Sequence, residues 1–227
     1  MPEIFEVKTR HQWREFIALP WRIYRGMPHW VPPLRVAVRR TLDVDQNPFF
    51  QHANLLPLLA LEDGRTVGRL AGIIDSAHNH FHNERTGFFE SEDRQDLCAA
   101  LLDRISDWSA ERGMTRLRGP HNPSTNHECG LLIEGFDKDP RIMMTYNPPY
   151  YPLLFEQYGL RKAKDLTAWD LKDINPFSER LIRIAKRKKN GQRSEPAVLT
   201  RRFSIVGSIS SWIFITVPGA ATGVSCP

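Results

Sequence analysis

The sequence predicts an α/β fold over residues 1 to about 190, followed by a tail of a different kind. Three observations carry this. Leu55 to Leu61 and Thr66 to Ile74 are apolar runs joined by Glu62-Asp-Gly-Arg65, the pattern of a β-hairpin. Asp93 to Arg112 repeats apolar residues at helical spacing. From Phe203 to Pro227 no charged residue occurs, although 25% of the 227-residue chain is charged.

Taken in order, Ile4 to Val7 is a short strand. Thr9 is an N-cap with Gln12 three residues on, the spacing of a capping box. A helix through Trp13, Phe16, Ile17 and Trp21 follows, which Pro20 is expected to kink or end. Pro28-His-Trp-Val-Pro-Pro33 is extended, because its prolines forbid helix. After the hairpin, Phe88-Phe89 marks a further strand. In the long helix, Leu97, Leu101, Ile105 and Trp108 form one apolar stripe, and Gly113 stops it. Thr115 to Arg118 is a strand that leads into a long loop around Gly119-Pro-His-Asn-Pro-Ser124. Asn147-Pro-Pro149 opens a helix, with Asn147 as its cap; it ends at Gly159, and Ala163 to Leu171 is a strand. Asn175-Pro176 opens a last helix to Lys189.

Composition excludes several classes. The net charge of +5 is too small to argue for nucleic acid, and no nucleic-acid partner is expected. Three cysteines, Cys98, Cys129 and Cys226, are too few and scattered for a disulfide framework. The N-terminus is charged from residue 3 and lacks an apolar run, so no secretory signal is read. The expected location is the cytoplasm. Residues 180 to 189 hold six basic residues and no acid. They read as a surface helix whose cations suit the C-terminal dipole, with peripheral contact to the inner membrane as the alternative.

His78, His80 and His82 alternate, so a strand would place them on one face as zinc ligands. Without a further partner nearby they read better as a solvated loop, and no metal is assigned. Cys98 and Cys129 read as core or bystander residues rather than nucleophiles. The densest run of chemistry is residues 119 to 151. There His121 or His127 is the candidate general base, Glu128 its partner and Tyr150 the candidate proton donor. Asn122, Ser124, Asn126, Tyr146, Asn147 and Tyr151 are candidate substrate-binding residues. The competing reading is a structural loop whose polar side chains satisfy its own backbone.

The order of elements looks like the acyl-CoA N-acyltransferase (GNAT) fold, a mixed sheet flanked by helices. Residues 1 to about 190 resemble the bacterial ceramide synthase-like family of GNAT-related proteins. The resemblance lies in Trp30-Val-Pro-Pro33, Asn47-Pro-Phe49, Gly68-Arg-Leu-Ala-Gly72, Gly119-Pro-His-Asn122, Gly130-Leu-Leu-Ile-Glu-Gly-Phe136 and Tyr146-Asn-Pro-Pro-Tyr-Tyr151. It implies transfer of an acyl group from acyl-CoA, as co-substrate rather than tightly bound cofactor, to an amine, in the namesake a sphingoid base.

Two departures bear on mechanism. Where the family fold has a Gly-rich turn before the central helix, Glu90, Glu92, Asp93 and Asp96 stand here, and they would repel a pyrophosphate. Weak or absent CoA binding is therefore expected of the isolated chain. Phe155 stands where the fold often has a general-acid tyrosine. Family members are longer, so residues 191 to 227 read as a frameshifted or truncated second lobe. They are expected to be poorly ordered or weakly docked, although Trp212 to Val217 is suited to pairing with an open sheet edge. Three classes stay open: an acyl-CoA-dependent N-acyltransferase, a non-catalytic substrate-binding or structural lobe, and a basic membrane-surface module.

Overall fold

A computed structural model describes residues 2–92, 95–124, 126–172 and 204–215. The chain divides into two compact units, residues 1–166 with 210–227, and residues 167–209. The first unit holds the sites discussed below. The described residues of the second are 167–172 and 204–209.

Strand β1 (Glu3–Glu6) leads into helix α1 (Arg10–Ile23). The capping box forms as expected: Gln12 N–H donates to the Thr9 hydroxyl at 3.2 Å, and Thr9 N–H donates to Gln12 Oε1 at 2.8 Å. Pro20 does not end α1, which continues to Ile23. Proline cannot donate to the Phe16 carbonyl four residues back. Arg69 replaces the missing donor, reaching that carbonyl through Nη1 at 2.9 Å while its guanidinium lies 4.8 Å from the centre of the Phe16 ring.

The 28–33 arm has no helix or strand, as its prolines require. Helix α2 (Arg35–Thr41) and a 3-10 turn (Pro48–Gln51) follow, neither of which periodicity announces. The hairpin is β2 (Ala53–Glu62) and β3 (Arg65–Asp75). Its two-residue turn has φ of +50° at Asp63 and +73° at Gly64, the left-handed pair that matches strand twist and favours Asp-Gly. The histidine run forms helix α3 (Ser76–His82) rather than a loop or strand.

Strand β4 (Thr86–Glu92) then precedes the long helix α4 (Gln95–Glu111) and β5 (Arg116–Gly119). A small hairpin, β6 (His121–Asn122) and β7 (Glu128–Cys129), is followed by β8 (Leu131–Leu132), helix α5 (Tyr151–Tyr158), β9 (Arg161–Lys172) and β10 (Ser204–Ile215). The expected helix from Asn175 to Lys189 lies outside the described residues, as does the basic run within it.

Among the described residues the sheet runs β1-β2-β3-β4-β5-β10-β8, with β9 pairing β10. It is mixed: β4 and β5 are parallel, whereas the β1–β2, β2–β3 and β3–β4 pairs are antiparallel. Within the uncharged tail, Phe214 and Ile215 pair with β5, and Ser211 and Trp212 with β8.

Both faces of β2 and β3 are covered, so these strands read as continuous apolar runs. Leu56, Leu58, Ala60 and Leu70 pack with the α4 stripe and with Leu154 and Phe155 of α5. Leu59 and Ala71, facing the other way, pack with Phe16, Val7 and Leu42. The predicted stripe is the core face of α4: Leu97, Leu101 and Ile105 have no exposed surface, and Trp108 packs at its edge. Gly72 is required where β3 meets α4, since a Cβ there would stand 2.7 Å from the Ile105 side chain.

Helix α5 begins three residues later than a cap at Asn147 would place it. Tyr150 occupies the cap position, not Asn147. Asn147 is 3% exposed and clamps another segment instead. Its Oδ1 accepts from Leu132 N–H at 2.7 Å, and its Nδ2 donates to the carbonyls of Leu132 at 3.3 Å and Pro148 at 2.9 Å.

Candidate active site

Pro120 and Pro123 bracket His121-Asn122, so the strand they allow is two residues long. It pairs His121 with Cys129 and Asn122 with Glu128. Ser124 turns the chain between them. Its hydroxyl accepts from Asn126 N–H at 3.2 Å and lies 2.9 Å from His127 Nδ1. Residues directly opposite in an antiparallel pair share a face, and successive residues alternate. Asn122 and Glu128 therefore lie on one face of this hairpin, and His121 and Cys129 on the other.

The Asn122–Glu128 face meets a groove of about 470 Å³. Its walls are Trp21, Tyr24 and Trp30 from α1 and the arm, and Ile142, Met143 and Met144 from the opposite loop. The aromatic rings support one another, with centroids 5.8 Å apart for Trp21–Trp30 and 5.2 Å for Tyr24–Trp30. His29 Nδ1 and Asp139 Oδ1, 3.0 Å apart, join the arm to the opposite loop. A smaller pocket of about 70 Å³ shares Tyr24, Asn122, Glu128 and Tyr146 with the groove and reaches His121 and Asn147. The polar groups Asn122, Glu128 and Tyr146 thus lie where the groove and the smaller pocket share their lining.

A second compartment, about 420 Å³, is lined by His52, Asp75, His78, His82 and His121 together with the rings of Phe49 and Phe88. His52 Nδ1 lies 2.9 Å from Asp75 Oδ1, which also accepts from His78 N–H at 3.0 Å as the N-cap of α3. An imidazole held this way by a carboxylate has Nδ1 protonated and Nε2 available as an acceptor. Phe88 sets its ring edge-on to both His78 and His121, each at 4.9 Å. Burial lowers the pKa of His78 and His127, and takes that of His121 from its ordinary 6.5 to about 3. Burial also pushes the Cys129 thiol up, away from thiolate character. Cys98, a residue of α4, is buried in the core.

The sequence candidates therefore separate. Asn122, Glu128 and Tyr146 line the groove; Ser124 and Asn126 line the histidine compartment; His121 belongs to the compartment and the smaller pocket. His127 bonds Ser124 and lies edge-on near Phe49, centroids 6.3 Å apart. Tyr150 is exposed and Tyr151 buried, and neither lines these pockets. Phe155 is buried against Phe89, centroids 5.3 Å apart. Among the described residues no group of three or more His, Cys, Asp or Glu side chains is placed to hold a metal ion. The side chains of residues 90–96, including the four acidic residues singled out there, lie outside the description. No described helix is long and apolar enough to cross a membrane.

His52 and Asp75 are missing from the sequence candidates because they are 23 residues apart in sequence and meet only at the open end of the hairpin, where Ala53 pairs with Asp75. One signal was readable: Asp75 ends an apolar strand three residues before His78, the spacing of an N-cap.

Comparison with known proteins places this geometry. The chain is 35% identical over 193 residues to "Bacterial ceramide synthase" of Caulobacter vibrioides (strain NA1000 / CB15N), covering 81% of this chain and 49% of the relative. It is 34% identical over 164 residues to "Protein YghO" of Escherichia coli (strain K12), covering 71% of this chain and 42% of the relative. The chain thus spans about half the length of the curated relatives it matches. Among solved structures, a tandem GNAT protein from the clavulanic acid biosynthesis pathway, without AcCoA, superposes with a TM-score of 0.51 at 15% identity. That match covers 74% of this chain and 47% of the other, and it is a likeness of fold. No family model matches the chain.

Proposed function

The chain belongs to the bacterial ceramide synthase-like family of GNAT-related proteins, and on that premise we propose that it binds a long-chain amine for N-acylation by acyl-CoA. The observation that carries this is the pairing of aromatic and aliphatic groove walls with Asn122 and Glu128, which the groove shares with the smaller pocket. A hydrocarbon chain gains from leaving water in such a groove, and a carboxylate in its lining suits an ammonium group. An alcohol would meet the same walls without that charge complement. A sphingoid base, with its alkyl chain, amine and hydroxyls, fits this description, and Asn122 and Tyr146 supply hydrogen-bonding groups beside the amine.

In this reading Glu128 holds the ammonium group, and His121, His127 and His52 are the imidazoles available for proton transfer and carbonyl binding. Tyr146, rather than Tyr150, is the tyrosine at the junction. The reaction joins the amine nitrogen to the acyl carbon as the thioester C–S bond breaks, releasing thiol and a proton. A substrate-binding lobe without chemistry of its own is the second reading. It is favoured by Phe155, which is packed in the core and has no proton to give.

Calorimetric titration with dodecylamine and with dodecanol tests the assignment. The amine is expected to bind at least about tenfold more tightly, a difference of about 1.4 kcal/mol, and Glu128→Gln is expected to erase that preference. Equal affinity for amine and alcohol would overturn it. Mass-spectrometric detection of N-acyl product from acyl-CoA then separates the catalytic reading from the binding lobe.

A further inference from the structure

We propose that the histidine compartment receives the thioester end of the acyl donor, with a ring N–H of His121 donating a hydrogen bond to the thioester carbonyl oxygen. This rests on the acyl-transfer reading above but assigns a separate compartment and a separate role. His121 is 1% exposed, and neither ring nitrogen has a hydrogen-bonding partner among the described residues. Interiors rarely leave polar side-chain atoms unpaired, and those that stay so mark a site kept for something else. The ring is firmly placed. Its backbone is fixed by pairing with Cys129, and Phe88 sits edge-on to the ring. It also lines both the histidine compartment and the small pocket that opens toward Glu128.

The chemistry follows from that position. Burial keeps the imidazole uncharged near neutrality, so it carries one N–H and one lone pair. A donor held in a dry wall gains most when the carbonyl oxygen becomes an alkoxide-like oxygen during attack. His52 lines the same compartment and is oriented by Asp75 with Nε2 free to accept. The ammonium form of the amine loses one proton to solvent, and its nitrogen then attacks the thioester carbon. The C–N bond forms, the C–S bond breaks, and the second proton passes to the leaving sulfur.

The test uses the full chain and S-hexanoyl-N-acetylcysteamine as thioester probe, followed by 15N NMR of the histidine side chains and by calorimetry. Binding should shift the His121 ring resonances. His121→Phe should weaken thioester binding at least tenfold and raise the melting temperature by several degrees. His121→Gln, which keeps a donor, should retain part of the thioester affinity. Wild-type affinity in His121→Phe, a melting temperature lowered by it, or unshifted His121 resonances would each overturn the proposal. Loss of amine binding with thioester binding intact would instead overturn the groove assignment and leave this one standing.

Discussion

Replacing Arg69 by Met tests how a proline is accommodated inside α1. The Phe16 carbonyl has no helical partner because Pro20 lacks an N–H, and Arg69 Nη1 supplies a donor to it at 2.9 Å. Arg69 is 4% exposed and lies over the Phe16 ring. Arg69→Met keeps most of the aliphatic stem but takes that donor from a buried carbonyl. Losing a hydrogen bond from a charged donor costs about 1.5–3 kcal/mol, which for a chain of this size lowers the melting temperature by about 3–12 °C. The decisive measurement is a double-mutant cycle with Pro20→Ala, read by urea unfolding and tryptophan fluorescence. The Pro20→Ala change restores an N–H to the Phe16 carbonyl, so Arg69→Met should cost about 1 kcal/mol less in that background. Equal losses in both backgrounds, to within about 0.5 kcal/mol, would show that Arg69 does not substitute for the missing helix donor.

Asn147→Ala should destabilise the chain by about 1–3 kcal/mol in urea titration, because it leaves the buried Leu132 N–H without the side-chain acceptor and takes a donor from the Leu132 carbonyl, while the Pro148 carbonyl keeps Tyr151 N–H; a loss under about 1 kcal/mol would refute the clamp. Gly72→Ala should cost about 1–3 kcal/mol through overpacking against Ile105, and Ile105→Val should recover part of that loss; no recovery would place the strain elsewhere. His121 has a folded-state pKa of about 3 against an ordinary 6.5. Unfolded chains therefore bind its proton first as pH falls, and stability should drop below pH 6.5 by up to about 1.4 kcal/mol per pH unit toward pH 3. His121→Phe should remove that share of the slope, and an unchanged slope between pH 6 and 4 would contradict the burial argument.

Much of the scaffold was legible because it rests on local signals. Thr9 with Gln12, Asp63-Gly64 and the Leu97–Trp108 stripe each specify geometry from neighbouring stretches of chain. The misses arise where distant groups override local preference. Pro20 reads as a break until Arg69, contributed by a strand, supplies the donor. Asn147 reads as a cap until β8 claims its amide. The His-Asn-His-Phe-His run has strand-like alternation, but Asp75 caps it into a helix. At the candidate site, residues 119 to 129 were visible as a concentration of polar groups. Their division into two faces was not, since it depends on the pairing of Asn122 with Glu128. His52 joins only through tertiary contact.

The short hairpin that pairs His121 with Cys129 and Asn122 with Glu128 contributes lining to the groove, to the histidine compartment and to the small pocket. In the proposed reading, the groups that meet the amine and the thioester therefore share one short stretch of chain. A single-residue insertion here would exchange the two sets of side chains rather than enlarge either room. Diversification of either specificity by loop lengthening at this point would carry the other along with it. Variation that preserves one specificity while altering the other has to come from the outer walls, from the arm at residues 28–33 or from α3, where each compartment has lining of its own.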